Sequence, residues 1–203
     1  DISEEREEKI TEFLKDKVAW LVRVRGNWSF TSMIFTTNIF ELEKFVNEIK
    51  KKFQKNLIEI HFSVITRILH YRRGYLLDKK QDTSKYDIMG EVVKTVNLDP
   101  TDLKILETIQ NNARLSSIEI ANKIKSNERV VRYRLKNLIK NKVILGFRSL
   151  LDLRKLGISY YKVHFKLNSY DDETMKKINS YIHLHPHVIY KTETIGGWDL
   201  EFE

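Results

Sequence analysis

Three residues, Lys125-Ser126-Asn127, separate two amphipathic segments, and a connector that short forces the segments to pack on each other. Before it, Ser116 or Ser117 opens a helix whose Ile118, Ile120, Ala121 and Ile124 make an apolar face. After it, Asn127 is a natural N-cap. Val131, Leu135, Leu138 and Ile139 then recur at i, i+4, i+7 and i+8, the stripe of a helix with one buried side. Upstream, Asp99 caps a further helix with Pro100 in its first turn, where proline is tolerated; Leu103, Ile105, Leu106 and Ile109 are expected inward. Downstream, VILGFRSLL at 143–151 fits a strand-turn-strand wing bent at Gly146.

At 100° per residue, the side of the third helix opposite its stripe holds Arg129, Tyr133, Lys136 and Lys140. Arg132 and Asn137 lie at its edges and Arg134 on the flank. A basic face is often no more than solvated surface. Here, however, Lys123 to Arg148 contains nine basic residues and one acid, Glu128, in the first turn where the helix dipole favours a carboxylate. The face is therefore expected to lack intrahelical ion-pair partners. Two short helices joined by a tight turn, the second basic outside, form a helix-turn-helix that can present its second helix to a DNA groove. The charge is concentrated in the same place: residues 85–157 carry 15 Lys/Arg against 8 Asp/Glu, most of the chain's formal +8. Residues 1–84 carry 16 against 13, and residues 158–203 carry 5 against 7.

The flanks follow a different plan. Ile10, Phe13 and Leu14 share a helix face after Ser3, and Trp20, Val22 and Val24 alternate in a strand. Gly26-Asn27 turns that strand into WSFTSMIF. Asn38 and Glu41 open a second helix in capping-box fashion, and Ile58, Ile60, Phe62 and Val64 alternate in a last strand. Near the C-terminal end, YYKVHFKL alternates as a strand, DDETMKKINSYIHL reads as a helix, and HVIYKTETIGGWDLEFE repeats the strand-turn-strand plan. Matching Gly26-Asn27-Trp28 to Gly196-Gly197-Trp198 also matches Val18 to Val188 and Trp20 to Tyr190, a weak internal repeat. Both copies are parts of a ferredoxin-like βαββαβ unit, the first without its opening strand and the second without its last helix and strand. The expected class is α+β, a winged helix-turn-helix flanked by two incomplete ferredoxin-like domains, as in a piece of a longer protein. The divisions fall at 1–77, a polar linker at 78–96, 97–152 and 153–203.

These residues resemble the Lrp/AsnC transcription regulators. The likeness runs through L98-D99, D102, I105-L106, N112-A113-R114, S116, I120-A121, R134-L135, L138, I144, G146-F147 and LDLRKLG at 151–157. It continues in YYKVHFKL, Pro186, Val188 and I195-G196-G197-W198-D199-L200, covering roughly 97–203; the first 77 residues look like a more divergent sensing domain. The resemblance implies a cytoplasmic regulator that binds double-stranded DNA, assembles as a homo-dimer or higher oligomer and responds to a small effector, commonly an amino acid. It implies neither an enzyme nor a cofactor. On that reading Arg129, Arg132, Tyr133 and Lys136 enter the major groove, flanked by Arg134 and Lys140. Ser116 and Asn127 then meet phosphate near helix N-termini, and Arg148 does so from the wing. The effector falls to Gly196 and Asp199, with Gly26 in the first copy, and plain hairpin chemistry is the competing use of the same residues. Two departures stand out. Ser29 takes the place of Asp199 in the first copy, which argues against amino-acid binding there. Lys142 stands where many members have Gly, so the third helix is expected to end differently, because left-handed backbone costs a lysine ~1 kcal/mol.

Other chemistry is thin. No apolar run approaches 18 residues and the opening residues carry no signal-peptide pattern, so no membrane association is expected. There is no cysteine, which excludes disulfides and Cys-based zinc sites. His183, His185 and His187 invite a metal reading, but Pro186 and the helix-to-strand transition break their geometry and a polar loop is the better account. Tyr71, Tyr75 and Tyr86 beside Arg72 and Arg73 suit strand-end packing better than a base-stacking platform. Two rival functions remain. One is a tetrapyrrole decarboxylase of the haem pathway on the same fold, recruiting His164 or His187; the other is a protein-interaction sensor without DNA binding. The basic third helix favours DNA over both.

Overall fold

The computed structural model describes residues 3–55, 57–77, 86–90 and 95–203. The chain divides into two compact units, Asp1–Ile60 and His61–Glu203, which mix helices with small antiparallel sheets.

The first unit contains α1 (Glu4–Leu14), β1 (Trp20–Arg23), β2 (Phe30–Met33) and α2 (Ile39–Phe53). Its apolar contacts centre on buried Leu14 and Phe53, with the Phe13 and Phe53 rings edge to face at 5.3 Å. The Asn38 side chain accepts the Glu41 N–H at 3.1 Å, as expected of the cap. Glu41 reaches one residue further back than a capping box requires, accepting from the Thr37 N–H at 2.8 Å. β1 and β2 form the antiparallel hairpin, with Gly26 at φ +133° in the connection, where a side chain would be strained.

The second unit contains β3 (Ser63–Tyr71), β4 (Tyr86–Gly90), α3 (Pro100–Ile109), α4 (Ser117–Ile124), α5 (Glu128–Lys140), β5 (Val163–Phe165), α6 (Asp172–Leu184), β6 (Tyr190–Gly196) and β7 (Leu200–Phe202). Its five strands lie in the order β4-β3-β6-β7-β5. The β5-α6-β6-β7 part has the expected split pairing, with β5 beside β7 rather than beside β6. Leu69, Tyr71, Ile182, Val188 and Leu200 are buried together where α6 covers the sheet.

Three expectations are corrected here. The strand placed at Ile58–Val64 begins only at Ser63, and Ile58 is fully exposed. Its partner explains the shift: β3 lies antiparallel to β6, Ser63 opposite Gly196 and His70 opposite Tyr190. That strand therefore belongs to the second unit and not to a domain ending at residue 77. Within the span read as a linker, residues 78–85 and 91–94 lie outside the described residues, but 86–90 form β4 against β3. Finally, residues 143–151 form no strands. Backbone carbonyls of β3 and a β4 side chain hold this segment instead, as described below.

Candidate nucleic-acid interface

The three helices α3, α4 and α5 pack around Ile105, Ile109, Ile120, Ala121, Val131, Leu138 and Ile144, with Leu98, Leu106, Leu115, Ile124, Leu135 and Val143 at the margin. Three residues expected inside are exposed: Leu103, Ile118 and Ile139. Leu103 and Ile118 each precede a core isoleucine by two positions, which rotates them about 160° away from it. Ile139 sits at the edge of its stripe, roughly 80° from Val131.

Local chemistry sets each helix start. Asp99 accepts the N–H groups of Thr101 and Asp102 at 2.7 and 3.0 Å, and Asp102 returns a bond to the Asp99 N–H at 3.2 Å. The Asp102 N–H is the main reason the Asp99 carboxyl lies below the usual range. Ser116, one of the two residues proposed to start the second helix, is its cap, sharing a capping box with Glu119. Asn127 accepts the Arg129 N–H at 2.8 Å.

The helix ends are less usual. Lys125 and Lys142 both adopt left-handed backbone, at φ +54° and +56°. After α5, the Lys142 N–H bonds the Ile139 carbonyl at 3.0 Å and the Val143 N–H bonds that of Leu138 at 2.9 Å, a Schellman ending. The expectation that lysine would alter this ending is therefore wrong. The turn is kept because it returns Val143 and Ile144 to the core.

The basic face splits into free and committed cations. Arg129, Tyr133, Lys136 and Lys140 are exposed on one side of α5, without ion-pair or hydrogen-bonded side-chain partners among the described residues. Arg132 is exposed but bonds Glu128 one turn back, which corrects the expectation that the face has no intrahelical pair. Glu128 also accepts from the Ser117 hydroxyl at 3.0 Å. Arg132 first and then Ser117 hold its carboxyl below the usual carboxylate range.

Three residues assigned to DNA, Arg134, Arg148 and Ser116, have partners within the protein. Arg134 is half-buried and bridges Asp99 and Asp102, the latter at 3.2 Å, so it fastens α5 to the start of α3. Arg148 bonds Asp87 of β4 and reaches the carbonyls of His70 and Tyr71, at 3.3 and 3.4 Å. Arg73 adds a bond to the Ser149 carbonyl at 3.2 Å. The segment after α5 is thus gripped from β3 and β4. The Ser116 hydroxyl, proposed for phosphate, is used within its capping box, donating to Glu119 at 2.7 Å.

The residues assigned to an effector have internal uses as well. Asp199 accepts the Leu167 backbone N–H at 2.7 Å and a bond from the Lys166 ammonium at 3.3 Å. A bond from the Tyr170 hydroxyl first, and then the Leu167 and Lys166 contacts, hold its carboxyl below the usual range. Gly196, at φ +116°, lies so close to the chain before β3 that an added Cβ would stand 3.3 Å from the Phe62 carbonyl oxygen. Elsewhere, the Tyr71 ring packs against Tyr86 and His183, and Tyr75 against His187. The tyrosines therefore act as packing groups. Among the described residues no His, Cys, Asp or Glu cluster has the arrangement to hold a metal, and no helix is long and apolar enough to cross a membrane.

The Glu128–Arg132 pair was readable from its i, i+4 spacing with the acid N-terminal. The grips on Arg134 and Arg148 span 32 and 61 residues, and no local pattern signals them.

One comparison, with a family model, locates the same segment; the others give likeness over about half of the chain. A proline dehydrogenase transcriptional activator of Rhizobium radiobacter is 31% identical over 93 residues, which are 45% of this chain and 60% of that protein. The chain thus spans about three-fifths of the length of the curated relative it matches. Among solved structures, PH0061 aligns at a TM-score of 0.47 with 24% identity, over 53% of this chain and 72% of its own. The transcriptional regulator NMB0573 of Neisseria meningitidis, in complex with L-Met, aligns at 0.48 with 20% identity, over 52% and 69%. Residues 98–144 match the family model described as winged helix-turn-helix DNA-binding, and both limits of the match, Leu98 and Ile144, pack into the three-helix core.

Proposed function

We propose that this chain is a transcription regulator of the Lrp/AsnC type that binds duplex DNA through α5. The observation that carries the reading is the outer face of α5, where Arg129, Lys136 and Lys140 stand exposed and, among the described residues, unpaired around Tyr133 on a packed helix-turn-helix. Cations left without protein partners are available for phosphates and base edges, and releasing counterions from DNA supplies much of the affinity. Arg132 joins this face from its bond to Glu128, and Asn127 lies at the helix start, where phosphate contacts fix register. Arg134 and Arg148 act inside the protein, one seating α5 on α3 and the other holding the segment that follows it.

The rest of the reading rests on the resemblance. A homo-dimer would place two copies of α5 about one duplex turn apart on a palindromic site. A small effector, such as an amino acid, would act at the β6–β7 turn, with Asp199 ordering the loop beside it. The first unit would be a divergent sensing domain, its Gly26 turn equivalent to the turn at Gly196; both glycines have positive φ.

Salt titration of duplex binding tests the groove assignment. Replacing both Arg129 and Lys136 with Ala should weaken binding and lower the slope of log K against log salt by about 2. An unchanged slope would remove this face from the interface. Selection from random duplexes, repeated with pooled amino acids, tests the dimer and effector parts through a palindrome and its ligand dependence.

A further inference from the structure

α5 carries a single acid, Glu128, at its first residue, and that acid is held from two helices. The Ser117 hydroxyl of α4 donates to Glu128 Oε1 at 3.0 Å, and the Arg132 guanidinium donates to the same oxygen. We infer that Glu128 is a positioning residue that aims Arg132 at a guanine and thereby sets base preference at one position of the DNA site. The inference rests on the DNA-binding reading above.

The argument is one of geometry and sign. Arg132 projects from the N-terminal part of α5, the part of a recognition helix that reaches base edges. Its bond to Glu128 occupies one N–H and leaves enough of the guanidinium fork for the O6 and N7 acceptors of guanine. An exposed arginine samples many rotamers, so holding the side chain before DNA arrives lowers the ordering cost of the base contact. Ser117 serves the same end by fixing the carboxylate, which could otherwise swing with the arginine. The charge of Glu128 has the opposite effect on the backbone, since a carboxylate near phosphates opposes generic binding. Glu128 should therefore lower affinity for random DNA while raising discrimination. A residue with a merely structural role would move both in the same direction.

The full chain is compared with its E128A, S117A and R132A variants by selection from random duplexes and by affinity for a sequence-free duplex. R132A should lose preference at one G·C position of each half-site and bind random DNA less well. E128A should lose preference at the same position by about fivefold while binding random DNA more tightly. S117A should lose about twofold there with random-duplex affinity unchanged. An E128A profile equal to wild type at that position, or altered at a different position from R132A, would overturn the inference. If E128A fails to fold by circular dichroism, S117A decides, and an unaltered S117A profile counts against it. Failure of wild type to enrich any sequence would instead overturn the DNA-binding reading itself.

Discussion

Lys142→Gly should stabilise the helix-turn-helix, although it removes a lysine from a basic segment. Lys142 holds φ +56°, and the two bonds of the Schellman ending leave it no other conformation while Val143 and Ile144 stay in the core. Left-handed backbone costs an L-residue about 1–2 kcal/mol, which glycine does not incur. Glycine gives back about 0.5–1 kcal/mol through its greater freedom in the unfolded chain. The net gain is about 0.5–1 kcal/mol, a factor of about two to five in the local opening equilibrium. Hydrogen–deuterium exchange of core amides in α3 and α5 reads that factor directly in the full chain. Lys142→Ala is the control, because it removes the same charge and keeps the strain. Amides that exchange two- to fivefold more slowly in the glycine variant than in the alanine variant are the expected result. Equal rates in the two variants would refute the left-handed ending, and faster exchange with glycine would mean that the lysine side chain itself holds the turn.

Acid should weaken the second unit through His70. Burial first, then the charges of Arg148 and Arg73, push its pKa down from 6.5 to about 4, so the folded state binds its proton more weakly than the unfolded chain. The stabilisation from keeping this imidazole neutral is complete above pH 6.5 and is lost as pH falls from 6.5 towards 4. His70→Gln should flatten thermal stability against pH in that window, and an unchanged acid limb would remove His70 from the account. Gly196→Ala should destabilise the β3–β6 pairing by about 1–2 kcal/mol, because it combines strained backbone with a close approach to the Phe62 carbonyl. Faster amide exchange across Ser63–His70 is the expected readout, and protection equal to wild type would contradict this register.

The helix-turn-helix was largely legible because its determinants are local. Caps at Asp99, Ser116 and Asn127, a three-residue turn and stripes at helical spacing act over one or two turns of chain. The same locality made the stripes too wide. Apolar character alone counted Leu103, Ile118 and Ile139 as core, whereas three short helices have too little shared interior to bury more than one side of each.

What the sequence determined by itself was the position of each helix, the excess of cations on α5 and the two hairpins turned by Gly26 and Gly196. Only the tertiary structure decided which cations are free. Arg134 and Lys136 are two residues apart and chemically alike, yet one faces Asp99 and Asp102 while the other faces solvent. The same holds for the strands. Residues 58–71 are apolar enough for several registers, and pairing with β6 selected Ser63–Tyr71. Residues 143–151 have the composition of a wing, but Arg148 found Asp87 and two carbonyls of β3, and the segment follows those contacts. The physical reason is range. Caps and stripes act between residues a few positions apart, while ion pairs and strand registers depend on groups that only the folded chain brings together.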